Sequence, residues 1–368
     1  MVCFLNKDLG SWSNKIFMFY SFLYICMNFK SVTKLKSNTM GVLKSKSLKA
    51  LFLIVILGIT PFLYGQVGIN DVKSSFNQAV QMEKINPEAA INSYEKVIEL
   101  ADQVGGEEAD QIKGQAMTRI PKMYYESAKK HAGAKDYETS IEMLDSSIEG
   151  FDALGDKRSS ARSLKTILSI RNVQGAAALN DGNFTEALGF YDDALNRDPG
   201  YTKGYLGKLL IYDKMEDADK MEETAVMGLQ VCEQNRDNRT AGDIKKVMRT
   251  HFFNDAQTAM AEQDYAKAES NLKSTIEYGN NNVIVHYQLG LALKGQEKWS
   301  EAVREFSEAL ELEQGDAEEK AKIYFELGSS YQSLGQDAKA CEAYKNALYG
   351  EFAEAARYQI DNVLACDK

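Results

Sequence analysis

The sequence has few of the residues that usually carry catalytic or metal chemistry. It holds three His in 368 residues, and it lacks the HExxH, G-x-S-x-G and phosphate-loop patterns. His131, His251 and His286 fall in three separate segments, and none has a second ligand at metal-binding spacing. We therefore predict that the protein is not an enzyme, with no catalytic residues, no metal site and no cofactor.

Cysteine is also sparse. Of five Cys, Cys3 and Cys26 lie near the start, which leaves Cys232, Cys341 and Cys366 without close spacing. No disulfide framework or zinc cluster is implied. If the C-terminal segment folded back as a straight antiparallel helix, Cys341 and Cys366 would be offset by about two helical turns. The sequence therefore does not predict a bridge between them.

Proline is scarce, with 4 in the chain, and no segment alternates polar and apolar residues as a strand does. Apolar residues instead recur at three- and four-residue steps, as in "AVREFSEALEL" from Ala302 to Leu312. That period marks one face of an amphipathic helix. The sequence predicts an all-α protein, in which Pro121 ends or kinks the helix that contains it.

The first 65 residues differ from the rest, with eight Lys, no Arg and one acid. "MGVLKSKSLKALFLIVILGITPFLYG" begins at Met40 with a basic start and an apolar run and ends on a small residue, the layout of a secretory signal peptide. We predict a signal peptide at 40–65 and expect residues 1–39 to lie upstream of the true start. The rival interpretation is two membrane helices, with one of them at 16–29.

Signal cleavage would leave an acidic chain. After residue 65 the sequence holds 35 basic and 52 acidic residues, a net charge near −17. That charge disfavours nucleic acid and anionic lipid surfaces as main partners and permits a basic protein partner. We expect a periplasmic or secreted bacterial protein with no stable membrane span.

A helical hairpin pattern repeats along the chain. "HYQLGLALKGQEKWSEAVREFSEAL" starts at His286, and its Ala302 lies 34 residues after Ala268 of "TAMAEQDYAKAESNL". Leu289-Gly290 and Ala302-x₃-Phe306 fit the pattern L-G-x₂-Y…A-x₃-F, which resembles the tetratricopeptide repeat family. His286 stands where the family usually has Trp. The small residues should lie where paired helices cross closely, and Phe306 should fill the gap.

The resemblance implies a right-handed superhelical solenoid of about seven helical hairpins over residues 66–368. Gaps between repeats that exceed 34 residues predict two longer helices, within 107–131 and 157–179. A C-terminal amphipathic helix at 352–366 would cap the last hairpin. The predicted repeats are 71–104, 121–154, 168–201, 202–235, 249–282, 283–316 and 321–350.

The expected function is a non-enzymatic, exported protein–protein interaction scaffold. In the family the first helix of each hairpin lines the concave groove, and exposed aromatic residues there are frequent binding anchors. The alternatives are that these rings are ordinary packing, or that the protein binds a solute or acts as an enzyme through a pocket near His251 and His286. The predicted partner-binding residues are Phe253, Gln257, Tyr287, Gln288, Phe325 and Glu326, with Glu326 favouring a basic segment.

Overall fold

The computed structural model describes residues 67–366, and every regular element among them is helical. The all-α prediction is confirmed. The predicted upstream segment 1–39 and signal peptide 40–65 lie outside the described residues. The α-helices, numbered in chain order, are α1 Ile69–Ile85, α2 Pro87–Val104, α3 Glu107–Gly133, α4 Tyr137–Ala153, α5 Lys157–Asn180, α6 Phe184–Arg197, α7 Thr202–Met215, α8 Ala218–Asn235, α9 Asn238–Ala261, α10 Tyr265–Glu277, α11 Val283–Gly295, α12 Trp299–Leu312, α13 Ala317–Ser333, α14 Asp337–Asn346 and α15 Ala353–Tyr358.

Each helix packs on the next, so that α1–α2 through α13–α14 form a row of hairpins. First helices of adjacent hairpins also touch in four places, α1 with α3, α5 with α7, α7 with α9 and α11 with α13. The first helices therefore form one layer, which we call the first-helix face. The arrangement confirms the predicted solenoid of helical hairpins.

A glycine of the first helix receives a ring of the second helix in several hairpins. A Cβ on Gly290 would lie 2.5 Å from the Phe306 ring, which is fully buried. The two helices can cross this closely only because the glycine has no side chain. The expected roles of Gly290 and Phe306 are thus confirmed. The pairs with this arrangement are Gly175 with Tyr191, Gly290 with Phe306 and Gly328 with Tyr344.

The turn inside each of the last six hairpins contains one residue in the left-handed region. Gly182 and Gly335 hold two of these positions, with φ of 78° and 69°. Glycine adopts that conformation without steric cost, whereas a residue with a Cβ adopts it at a cost. The other four positions carry long polar side chains at Lys135, Glu216, Gln263 and Glu297.

The two predicted long helices are present as α3, with 27 residues, and α5, with 24. Of the two predicted effects of Pro121, an end of the helix is excluded, because α3 continues to Gly133, and a kink at this residue stays a prediction. Pro121 is buried, and a Cβ on Gly150 of α4 would lie 2.5 Å from its Cγ. Packing of the ring against Gly150 stabilises a position that costs the helix a hydrogen bond.

The C-terminal cap is less regular than the single amphipathic helix that we predicted. It consists of a 3₁₀ turn at Gly350–Phe352, then α15, then a π-helical turn at Gln359–Val363. Its Ala356 and Ile360 pack on the last hairpin. Because the segment is not a straight antiparallel helix, the expected offset of two turns does not arise.

Cys341 and Cys366 form a disulfide with a Cα–Cα distance of 5.7 Å, contrary to the expectation from the sequence. The bridge ties the end of the cap to α14. Cys232, in contrast, is a buried free thiol whose pKa is raised by burial.

No helix between residues 67 and 366 combines the length and the hydrophobicity that a bilayer crossing requires.

Candidate partner-binding groove

Three of the six predicted site residues line one pocket. Gln257 of α9 and Tyr287 and Gln288 of α11 surround an open cavity of about 450 Å³ on the first-helix face. On α11 the lining residues fall three and four positions apart, from Ile284 to Leu291, which places them on one side of the helix. Local helical period therefore explains why these residues of α11 line the same pocket.

The ring of Tyr287 is a partly buried part of this pocket. Its centroid lies 5.9 Å from that of Phe306, and Lys322 Nζ of α13 lies 5.4 Å from the Tyr287 ring centroid. Burial, with smaller contributions from Glu326 and Glu351, raises the pKa of Tyr287 to about 12. The phenol therefore stays neutral at physiological pH and is able to donate a hydrogen bond.

Gln288 supplies the pocket's unsatisfied polar atom. Its Oε1 is buried and has no hydrogen-bond partner among the described residues. A buried acceptor without a partner costs about 1–3 kcal/mol. The oxygen is not accessible to solvent in this conformation, so the amide would have to turn outward before an N–H or O–H of a bound segment could donate to it.

The mouth of the pocket is apolar. Ile284 is 55% exposed, although it belongs to a helix whose other face is core. Met260 and Val283 lie beside it in the lining. An exposed aliphatic side chain next to an open pocket offers apolar area to a partner.

The other three predicted site residues have partners within the protein. Phe253 is partly buried against the core cluster of hairpins α9–α10 and α11–α12. Phe325 packs between Tyr344 and Phe352, with both pairs of ring centroids 5.5 Å apart. Glu326 accepts a hydrogen bond from Lys294 Nζ at 2.5 Å. None of the three lines the pocket around Tyr287.

A second cavity, of about 750 Å³, lies on the same face between α7 and α9. Apolar and acidic side chains line it together. Four of its residues on α9 fall at steps of three and four: Asp243, Val247, Thr250 and Asn254. The sequence shows that spacing. It does not predict that α9 packs beside the C-terminal end of α7, because the repeat between them is degenerate.

The structure separates the two histidines on which the solute or enzyme alternative rests. His251 lines the 750 Å³ cavity. His286 is buried instead, with Nδ1 at 2.8 Å from Glu305 Oε2 and Nε2 hydrogen-bonded to Asn281. Across residues 67–366, no group of three or more His, Cys, Asp or Glu is placed to hold a metal ion.

The tetratricopeptide repeat family profile matches residues 321–349. No curated protein matches the chain in sequence. Solved structures of similar fold include the MamA protein, at 16% identity and a TM-score of 0.31 over 54% of this chain and 96% of that one.

Two further solved structures similar to this chain are a tetratricopeptide repeat protein with a peptide-binding site and a tetratricopeptide repeat domain solved in a complex. YrrB, described as having an unusual peptide-binding site, is 20% identical over 58% of this chain and 94% of its own, with a TM-score of 0.29. The TPR2AB domain of yeast Sti1, in a complex with pHSP90, is 14% identical over 67% and 96%, with a TM-score of 0.26.

The matched segment 321–349 spans α13 and α14, and their Gly328–Tyr344 packing recurs in earlier hairpins of the row. Residues 321–349 therefore form a tetratricopeptide repeat, and earlier hairpins of the row are similar to it in their packing.

Proposed function

We propose that this protein is an exported, non-enzymatic interaction scaffold that holds an extended segment of a partner protein along its first-helix face. The observation that carries the proposal is the pocket around Tyr287, where Gln288 Oε1 is buried without a partner beside exposed apolar side chains. Tetratricopeptide repeat proteins are in general scaffolds without catalytic activity, and this site holds groups that bind rather than react.

The pocket's chemistry suits an extended peptide. An apolar partner side chain would bury against the Tyr287 ring and Ile284, which contribute area at small entropic cost. A backbone N–H of the partner would donate to Gln288 Oε1, and the exposed amide of Gln257 has both a donor and an acceptor to offer. Affinity would come from the buried ring, and orientation from the two amides.

The disulfide supports the exported location. Disulfides persist in oxidising compartments and are rare in the cytosol, where thiols are kept reduced. Cys341–Cys366 fits a protein that matures in the periplasm or outside the cell, as the signal peptide layout of 40–65 predicts. Cell fractionation with N-terminal sequencing tests this. A cytosolic protein that retains residues upstream of Gln66 would contradict it.

The binding site is tested by photocrosslinking in the native host. A photoreactive amino acid at Ile284 should capture a reproducible partner. Val226 of α8 is a matched control, because it is 61% exposed and lies outside both cavities, whereas Ile284 is 55% exposed. Capture at position 284 but not at 226 supports the groove, and equal capture at both, or at neither, counts against it.

Point variants separate binding from folding. Tyr287→Phe keeps the ring and removes only the hydroxyl, whereas Gln288→Leu removes the unpaired acceptor. We expect Gln288→Leu to weaken binding of the captured partner about tenfold, from loss of one buried hydrogen bond, while the melting temperature stays the same or rises. Tyr358→Phe of the cap, where the tyrosine is 59% exposed, is the matched control for loss of a tyrosine hydroxyl.

A further inference from the structure

The cavity between α7 and α9 combines an apolar lining with an excess of acid. Leu206, Leu210 and Val247 supply the apolar part. Four carboxylates line the same cavity, against one lysine, Lys246, and one histidine, His251. The acids are Asp213, Glu216, Asp243 and Asp255.

Internal ion pairs use only part of this negative charge. His251 lies between Asp213 and Asp255, with each nitrogen-to-oxygen distance at 3.7 Å. Neither Glu216 nor Asp243 forms an ion pair with another described residue. Two carboxylates of the cavity therefore remain available to a cation brought from outside.

We propose that this cavity binds a long basic side chain, Arg or Lys, of the same partner segment that occupies the pocket around Tyr287. The inference rests on the proposed function, because it extends that site by one hairpin. The aliphatic stem of the side chain would lie over Leu210 and Val247, and its cationic head would reach Glu216 and Asp243. Arg and Lys side chains bury their stems on apolar surface in this way while the charge stays near water and acid.

A basic peptide fits the cavity better than the other ligands that acids attract. A metal ion needs several ligands converging on one point, and the described residues offer no such group here. An anionic ligand would meet four carboxylates. The basic character of the partner was assigned from the sequence to Glu326, but Lys294 compensates that charge. The two carboxylates of Glu216 and Asp243, which form no ion pair with a described residue, lie in this cavity instead.

The geometry sets the spacing of the partner's residues. Helix α9 contributes to both cavities, through Thr250 and Asn254 to one and through Gln257 and Met260 to the other. The two sites thus flank α9, about 9 Å apart across a helix packing distance and about 12 Å apart along the axis. An extended chain at about 3.3 Å per residue covers the resulting 15 Å in about four or five residues. The expected partner motif is one basic and one apolar residue at that spacing.

The test uses the purified protein and an array of Gly/Ser peptides that carry one Arg and one Leu at increasing spacings. Matched peptides carry Glu in place of Arg, or Leu alone. We expect the strongest retention at a spacing of four or five residues. We also expect about a fivefold preference for Arg over Glu, in line with the modest energies of solvent-accessible ion pairs, and a decrease of that preference as salt is raised.

Two variants assign the preference to the cavity. Glu216→Gln with Asp243→Asn should abolish the preference for Arg and leave retention of the Leu-only peptide unchanged. Glu233→Gln, an exposed acid of α8 outside the cavity, should leave the preference intact. Circular dichroism melting of each variant confirms that the fold is retained.

The outcomes separate this inference from the proposed function. If Leu peptides bind and Gln288→Leu weakens them, but Arg and Glu peptides bind alike, the groove stands and the basic subsite is wrong. If the Arg preference persists in the double variant, the cation binds elsewhere and the inference is equally wrong. If no peptide binds at any spacing, both proposals fail.

Discussion

The hairpins before and after residue 200 share one architecture but are joined by different side chains. After residue 200, α9 to α14 contribute to one continuous apolar cluster, with Phe306 packed on Gly290 at its centre. Before it, two buried serines, Ser147 and Ser163, meet across the interface between α4 and α5 at 3.0 Å. Ring-on-glycine packing within a hairpin occurs in both parts, since Tyr191 packs on Gly175 before residue 200, whereas the serine contact joins one hairpin to the next.

An ion network adds to the polar character of the earlier hairpins. Arg171 of α5, whose side chain is 11% exposed, donates to Glu138 of α4 at 2.7 Å and to Asp193 of α6 at 2.6 Å. Arg197 joins Asp193 to Asp145 of α4. The contacts to Glu138 and Asp145 join the α5–α6 hairpin to α4 of the preceding hairpin, whereas those to Asp193 lie within the α5–α6 hairpin.

The difference explains where a family signature is readable. The profile matches residues 321–349, which hold the Gly328–Tyr344 packing of a regular repeat. The α3–α4 hairpin keeps the helical period, but it packs the Pro121 ring of its first helix on Gly150 of its second instead of a second-helix ring on a first-helix glycine. Two helices can thus pair through any apolar stripe, whereas the sequence motif matches only hairpins that pair through one particular set of residues.

The largest effect should come from a truncated ring in the later hairpins. Phe306→Ala removes a fully buried ring, and Gly290 has no side chain with which to fill the space. We expect a loss of about 3–5 kcal/mol in the free energy of unfolding, measured by urea denaturation. Leu144→Ala, at the corresponding place in α4 and also fully buried, should cost less, because a smaller cavity remains. A greater loss at Leu144 would break the proposed contrast between the halves.

The next effect concerns the disulfide of the cap. Replacing Cys341 and Cys366 together by Ala removes a link across a sequence separation of 25 residues. The loss of loop-closure entropy in the unfolded chain predicts about 3.5 kcal/mol for a loop of that size, as an upper value. Hydrogen exchange should locate the loss in α15 and α14, with α3 and α5 unchanged. Loss of protection throughout the chain would mean that the row unfolds as one unit and that its two halves are not separable.

A buried acid offers a pH test within the later hairpins. Burial of Glu269 would raise its pKa, but hydrogen bonds from Lys273, Lys298 and Gln296 outweigh it and bring the pKa to about 2. Because the folded-state pKa is depressed, this stabilisation is complete above about pH 4.5 and is lost as pH falls toward 2. Both lysines are about half exposed, so we discount for screening and expect about 1–2 kcal/mol.

The variant Glu269→Gln isolates that contribution. It should be less stable at pH 7 by about that amount and should show a weaker decline in stability between pH 4.5 and 2. Glu311→Gln, an exposed acid of α12, is the matched control and should follow the wild type. If the stability of both variants declines equally between pH 4.5 and 2, Glu269 is not the source of the protein's loss of stability in acid.

Much of this fold was readable from the sequence because helical period is a local property. The apolar steps around Phe306 and the glycine at 290 predicted the hairpin and its crossing. The packing that stabilises Pro121 within its helix and the bridge at Cys366 were not predicted, because each depends on contacts made by distant residues. The ring of Pro121 packs on Gly150, and the sulfur of Cys366 reaches Cys341 through an irregular cap.

The candidate site was predicted only in part, for a similar reason. Repeat register placed Gln257, Tyr287 and Gln288 on one face, and the structure brings them around one pocket. Register alone could not show that Phe325 packs on Phe352 of the cap or that Glu326 pairs with Lys294. The acidic cavity at Asp243 was missed because its lining comes from helices of neighbouring hairpins, in a part of the chain where the repeat is degenerate.

The smallest expected effect tests the polar crossing of the earlier hairpins. Ser147→Ala removes one buried hydrogen bond to Ser163, which keeps a second contact because its hydroxyl donates to Ser159 O at 3.3 Å. We therefore expect a loss of only about 1 kcal/mol from Ser147→Ala. The double variant with Ser163→Ala should cost little more, since no unpaired hydroxyl then remains. A double-mutant cycle by urea denaturation measures the coupling, and strictly additive losses would show that the serines do not join α4 to α5.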